Sequence, residues 1–274
     1  MTAATLLYMW IASPNEASAP SEKKTLSVDE KKLEEEKKRQ YAAKLAAANQ
    51  QLQTTIDNWV STHSAHTWSI IVDGLGSDER LASVNPDEVS RAASLYKLFL
   101  LPALFKELSV ESLPSTAAGG SSLDYCVDRM LRISDNPCGE VVGEYLGWAS
   151  ADATLRDLGY SVTKLNVQAP VTSASETTRL LMDMYDKKQP FDASSKQYVL
   201  DKLSQQSWNK GIPAGCTGCK TYNKTGDLGF VRHDAAIIQN PSGAYALAIF
   251  SDGATYAQIA ELTGQINALM VSPI

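Results

Sequence analysis

A serine and a lysine three residues apart, in Ser94-Leu95-Tyr96-Lys97, open an apolar stretch that continues through Leu98 to Leu104. At the start of a helix this spacing places both side chains on one face, about one turn apart. A serine hydroxyl attacks a carbonyl when a base takes its proton, and a lysine deprotonated by a low-dielectric pocket can be that base. The helix N-terminus adds backbone N–H groups that can hold a developing oxyanion. The spacing alone is unspecific, since it recurs at Ser21/Lys24, Ser161/Lys164 and Ser207/Lys210. Only Ser94 opens a strongly apolar helix, and burial there is what could lower a lysine pKa.

Two tripeptides change the weight of that pattern. Ser134-Asp135-Asn136 follows the helical stretch Leu123 to Ile133, where by itself it reads as a helix terminus with a capping Ser or Asp. Lys224-Thr225-Gly226 reads by itself as an edge strand entering a turn. In the order SxxK, SDN, KTG, the three form the signature of serine acyl-transfer enzymes of one superfamily. The chain resembles the class A β-lactamases and penicillin-binding D,D-peptidases from about Leu52 to its C-terminus. The stretch Arg156 to Leu165 (RDLGYSVTKL) resembles the approach to that family's omega loop.

The resemblance implies a serine hydrolase with Ser94 as nucleophile and Lys97 as its base. Ser134 would relay a proton to the leaving nitrogen, and Lys224, on an edge strand, would supply positive charge. Asn136 would bind the substrate's side-chain amide while Asp135 braces the loop. Thr225 and Gly226 belong to the strand that receives the substrate carboxylate, and the N–H groups of Ser94 and Asp227 would form the oxyanion hole. A cation on the next strand is expected as well, from Arg232 or His233; strand alternation lets only one of them point inward. His63 and His66 read as ordinary surface or core residues. No metal or organic cofactor is called for.

These residues need a frame. Helical periodicity begins at Tyr41, with Leu45, Leu52, Ile56, Trp59 and Val60 on one face. Strands are expected at Trp68 to Val72 and Leu81 to Val84, then helices at Ala92 to Leu108, Leu123 to Ile133, Gly139 to Trp148, Ala151 to Leu158 and Ser173 to Lys187. Strands Thr221 to Thr225, Phe230 to Gln239 and Tyr245 to Ser251 precede a helix at Tyr256 to Leu269. This order predicts an α/β (α+β) fold: an antiparallel sheet flanked by N- and C-terminal helices, with an all-helical domain inserted. The expected organisation is a signal-like or anchoring segment over 1–20, a charged linker over 21–40, and a catalytic domain over 41–274. Within that domain the helical part would cover about 92–205, and the sheet part 41–91 plus 206–274.

A net charge of −6 argues against nucleic acid as a partner. Ala3 to Ala12, followed by Ala17-Ser18-Ala19, resembles a secretory signal without the preceding basic residues. Export is therefore expected, either free or anchored to a membrane by the N-terminus, as is a monomeric chain. Glu34 with Lys38 and Glu35 with Arg39 are spaced one helical turn apart. An even cysteine count suggests two local disulfides, Cys126–Cys138 and Cys216–Cys219; free buried thiols, or zinc at Cys216 and Cys219, stay open.

One departure from the family has chemical consequences. Class A β-lactamases carry a loop glutamate that directs water onto the acyl-enzyme. Here Asn166 to Thr172 (NVQAPVT) contains no acid, and Glu176 falls in the next helix. The omega loop and the interval from Ser94 to Ser134 are both short. Acylation by β-lactams or D-Ala-D-Ala stem peptides is expected, with slow deacylation. The alternatives are a penicillin-sensitive D,D-carboxypeptidase or endopeptidase of peptidoglycan, a β-lactam sensor without turnover, and a catalytically retired binding module.

Overall fold

The computed structural model describes residues 28–76 and 79–271, so the signal-like segment over 1–20 lies outside the described residues. Helix α1 (Val28–Thr62) leads to the paired strands β1 (Thr67–Gly74) and β2 (Arg80–Val84). A two-residue strand β3 (Ser90–Arg91), a 3₁₀ turn (Ala93–Leu95) and helix α2 (Tyr96–Glu107) follow. The helical block continues through the short pair β4 (Ala117–Ala118) and β5 (Ser121–Ser122), then α3 (Leu123–Arg132), α4 (Asn136–Leu146) and α5 (Trp148–Asp157). Strand β6 (Val171–Thr172), α6 (Ala174–Tyr185), α7 (Ala193–Leu203) and the single turn α8 (Ile212–Gly215) complete it. Strands β7 (Lys220–Leu228), β8 (Val231–Asn240) and β9 (Gly243–Asp252) precede the last helix, α9 (Tyr256–Met270).

Charged and apolar-periodic stretches form one helix, so the boundary expected near residue 41 falls inside α1. By compactness the chain divides into Met1–Ala42 and Ala43–Ile274. Within the first unit, the described helical residues are exposed and carry a Lys38–Glu34 ion pair of 2.7 Å. Among the described residues no helix is long and apolar enough to cross a membrane.

The second unit is built on a five-stranded antiparallel sheet in the order β2-β1-β9-β8-β7. Both faces are buried, and strand alternation deals residues between two cores. Ile71, Ala235, Ile237, Ala246, Ala248 and Phe250 pack on the helical block. Trp68, Ile70, Val72, Ala236, Leu247 and Ile249 pack with Leu52, Ile56 and Trp59 of α1 and with Ile259, Leu262 and Ile266 of α9. Strand β7 lies at the sheet's edge, so its free side can face the helical block.

The loop 158–170 has little regular structure, yet two buried carboxylates fasten it. Asp152 of α5 accepts from the N–H groups of Leu165 (2.6 Å) and Asn166 (3.1 Å). Glu176 of α6 accepts from Val162 N (2.9 Å), Thr163 N (2.7 Å) and Thr163 Oγ1 (2.6 Å). Arg179 donates to the carbonyls of Leu158 and Gly159. The far end pairs β6 with β3, and Ala92 N donates to Pro170 O at 2.7 Å. The loop is thereby tied to the backbone just before Ser94.

The expected Cys126–Cys138 disulfide is absent. Cys126 on α3 and Cys138 on α4 are free thiols, each buried in the interface of the helical block like a small apolar residue. Burial, reinforced by the neighbouring Cys126 thiol, pushes the Cys138 thiol up to about 12. Cys216 and Cys219 are joined as a disulfide, which removes both from metal service.

Replacing Glu176 by alanine would leave the N–H groups of Val162 and Thr163 without their acceptor in a site that is 7% exposed. The expected cost is about 3 kcal/mol, read as a lower urea midpoint together with new proteolytic cleavage within 158–170. A variant with the wild-type midpoint and cleavage pattern would refute the clamp.

Candidate active site

Ser94 sits in the 3₁₀ turn ahead of α2, and Lys97 points from the first turn of α2 into the interior. The lysine is fully buried, and its Nζ contacts Ser94 Oγ at 3.2 Å, Ser134 O at 2.6 Å, Ser134 Oγ at 3.4 Å and Asn136 Oδ1 at 2.7 Å. Lys224, buried on β7, donates to the same Ser134 Oγ and to Thr225 O, each at 2.8 Å. An unbroken contact chain therefore runs from Ser94 Oγ through Lys97 Nζ and Ser134 Oγ to Lys224 Nζ.

The backbone is bent to make this possible. Ala93 (φ 44°) and Ser134 (φ 60°) occupy the left-handed region, which costs a non-glycine residue about 1–3 kcal/mol. At Ser134 the bend lets the carbonyl and the hydroxyl face Lys97 together. Asp135 caps α4 by accepting from Cys138 N at 2.9 Å, and Arg129 holds its carboxylate at 2.9 Å and 3.2 Å. The Cys138 N–H bond, helped by Arg129, keeps the Asp135 carboxyl below its ordinary range. Two glycines permit close approach. A Cβ on Gly139 would stand 2.8 Å from Lys97 Cε and 2.5 Å from the Tyr96 hydroxyl, and one on Gly226 would stand 3.0 Å from the Ala92 carbonyl oxygen. Gly226 thus lets β7 lie against the turn that carries Ser94, and Asp227 is the next residue along that strand.

Burial lowers both lysines. Lys97 falls to about 8, with the charges of Asp135, Glu140 and Cys138 opposing the drop. Lys224 is lowered by burial and then by the positive charge of Lys97, with buried Asp234 opposing. At pH 7 a lysine of that affinity is neutral about a tenth of the time, enough to act as a base. Asp234 is itself raised to about 7 by burial, and it accepts from Asn223 Nδ2 (3.0 Å) and Ile212 N (2.8 Å).

The register separates the two candidate cations. Asp227 pairs with Arg232 and Gly226 with His233, which puts Arg232 on the face of Thr225 and Asp227, and His233 on the face of Lys224. Arg232 is partly exposed, 3.6 Å from the Asp227 carboxylate, and donates to Ala254 O at 3.2 Å. His233 is unavailable to a substrate, which corrects its place among the binding candidates. It is 1% exposed and stacks on Phe250 at 4.0 Å. Its Nε2 lies 2.9 Å from the Arg91 carbonyl and 3.3 Å from Ser90 Oγ, while Nδ1 accepts from Ser251 N at 3.2 Å. A carbonyl can only accept, so Nε2 carries the single proton and the imidazole is neutral. His233 fastens β3 to the sheet beneath Ser94.

Sequence reasoning passed over the neighbours of this set. A cavity of about 510 Å³ opens between Tyr96, Trp148 and the loop 158–170, with Glu140 in its wall. Asp152, also overlooked, has no local signature, because its partners lie beyond the end of its helix.

A sheet-and-helix fold with a half-buried serine on a buried lysine at its seam defines the class of serine hydrolases to which the motifs pointed. The chain belongs to the β-lactamase enzyme family, whose sequence model matches residues 51–118 and 110–272. Among solved structures it is similar to PBP-A (24% identity, TM-score 0.67, covering 81% of this chain and 94% of that one). A point mutant of PBP-A, solved as an acyl-enzyme complex with penicillin G, is 25% identical, with TM-score 0.65 and coverage of 81% and 94%. A halotolerant bacterial β-lactamase is 19% identical, with TM-score 0.68 and coverage of 81% and 99%. No curated protein matches.

His233 supplies a pH test. Burial holds it at about 4, below its ordinary 6.5. The unfolded chain therefore binds this proton more readily, and the stability due to neutral His233 is complete above pH 6.5 and lost as pH falls through 4. The full loss amounts to about 3 kcal/mol. Urea unfolding between pH 7 and 4 should show a shallower acid-side decline in His233→Asn than in wild type. Equal slopes would rule out His233 as the titrating group.

Proposed function

We propose that this chain is an active-site serine hydrolase that forms an acyl-enzyme on Ser94 with β-lactams, D-Ala-D-Ala stem peptides, or both, and releases it slowly. The carrying observation is the contact chain Ser94–Lys97–Ser134–Lys224. Neutral Lys97 takes the Ser94 proton as Oγ adds to the carbonyl carbon. The backbone N–H groups of Ser94 and Asp227 stabilise the oxyanion. Ser134 Oγ gives its proton to the leaving nitrogen and is reprotonated from a flanking lysine. Thr225 and Arg232 receive the substrate carboxylate, and Asn136 receives its amide. Slow release fits a loop that offers no base of its own: 166–172 has no acid, and Asp152 and Glu176 both bind backbone N–H groups.

An acyl-enzyme with penicillin G is the state named for a mutant of similar fold at 25% identity, which favours acyl-enzyme formation here. The Cys216–Cys219 disulfide favours a site of action outside the cytoplasm. The chain would then work as an extracytoplasmic enzyme on cell-wall peptides or on the drugs that mimic them.

Intact mass spectrometry after addition of penicillin G should show one adduct in wild type and none in Ser94→Ala. In Lys97→Ala the acylation rate should drop roughly 10³-fold. Because the base is the deprotonated lysine, the wild-type acylation rate should climb with pH and level off above about 8. An adduct surviving in Ser94→Ala, or a rate that falls as pH rises toward 8, would sink the assignment.

A further inference from the structure

The loop lacks an acid, but the site does not. We infer that Glu140, presented by helix α4 rather than by the loop, is the general base that delivers water to the acyl-enzyme. The inference rests on the acyl-enzyme reading of Ser94.

Three features of the structure converge on Glu140. It lies one helical turn after Asn136, on the same face of α4, and Asn136 Oδ1 is 2.7 Å from Lys97 Nζ. Its preceding residue, Gly139, is pressed so closely on Lys97 and Tyr96 that a single methyl group would collide with both. Glu140 lines the cavity bounded by Tyr96, Trp148, Asn166, Val167 and Gln168, which has room for water. Its charge is also felt at both Lys97 and Tyr96. Among the described residues Glu140 makes no hydrogen bond or ion pair, so unlike Asp152 and Glu176 it is not engaged as a fastener.

The step balances without a further reactant. Glu140 takes one proton from water as the water oxygen bonds to the acyl carbonyl carbon. The tetrahedral intermediate collapses with cleavage of the ester bond to Ser94 Oγ, which recovers a proton from Lys97. Glu140 returns its proton to the depleted lysine or to solvent, and the carboxylic acid departs.

The test follows both half-reactions of the full-length chain with penicillin G by time-resolved intact mass. In Glu140→Gln, acylation should run at the wild-type rate or faster, since loss of the negative charge lowers the proton affinity of Lys97. The lifetime of the adduct should lengthen roughly 10²-fold. Glu140→Asp should restore part of the release. Release from Glu140→Gln at the wild-type rate would overturn the inference, as would equal slowing of acylation and release, which would mark Glu140 as acting through Lys97. A wild type whose adduct never releases would also overturn it while leaving Ser94 as nucleophile. Absence of any adduct would fail the Ser94 reading first. Melting temperatures of both variants, expected near wild type because Glu140 is exposed, separate chemistry from misfolding.

Discussion

Lys97 carries an amine into the protein interior, where four oxygen contacts from Ser94, Ser134 and Asn136, with the Tyr96 ring 5.5 Å away, replace water around it. Burying such a charge is costly unless it is hydrogen-bonded or loses its proton, and both responses are present here. The need to supply those oxygens accounts for much of the local backbone. Ser134 turns into the left-handed region, Asp135 begins a new helix at once, and Gly139 has no side chain because the lysine stem occupies that space. A base poised near neutrality and a strained loop follow from the same burial.

The sheet answers the helical block with a second lysine. Lys224 reaches Ser134 only because β7 is the edge strand and Gly226 allows it to lie against the Ser94 turn. His233 and the β3–β6 pair fasten the segment before Ser94 to sheet and loop together. Asp152 and Glu176 then hold the loop by its own N–H groups. Asp152 and Glu176 are thus fasteners of the loop, whereas Glu140 lines the cavity beside it.

Most of the frame was legible because its periodicities are strong. The three motifs, the β7–β9 strands and the helices α2 to α6 follow from apolar spacing and helix caps that a linear reading can see. Helix α7 was missed although Asp192 and Ser195 form a capping box before Val199, Leu200 and Leu203. What stayed hidden was relational. Whether Arg232 or His233 shares a face with Thr225 depends on the β7–β8 register, and the state of Cys126 and Cys138 depends on how two helices pack. That Glu176 binds the loop rather than the site depends on contacts made 13 and 14 residues back along the chain.

The contact chain crosses the seam between the helical block and the sheet, with Ser94, Lys97 and Ser134 contributed from one side and Lys224 from the other. Such an arrangement works as a caliper. A slide of an ångström between helices and sheet, too small to unfold either, would part Ser134 Oγ from one of its two lysines. Warming should therefore silence the chemistry before it melts the protein, and a ligand that wedges the cleft apart could switch the serine off without touching it.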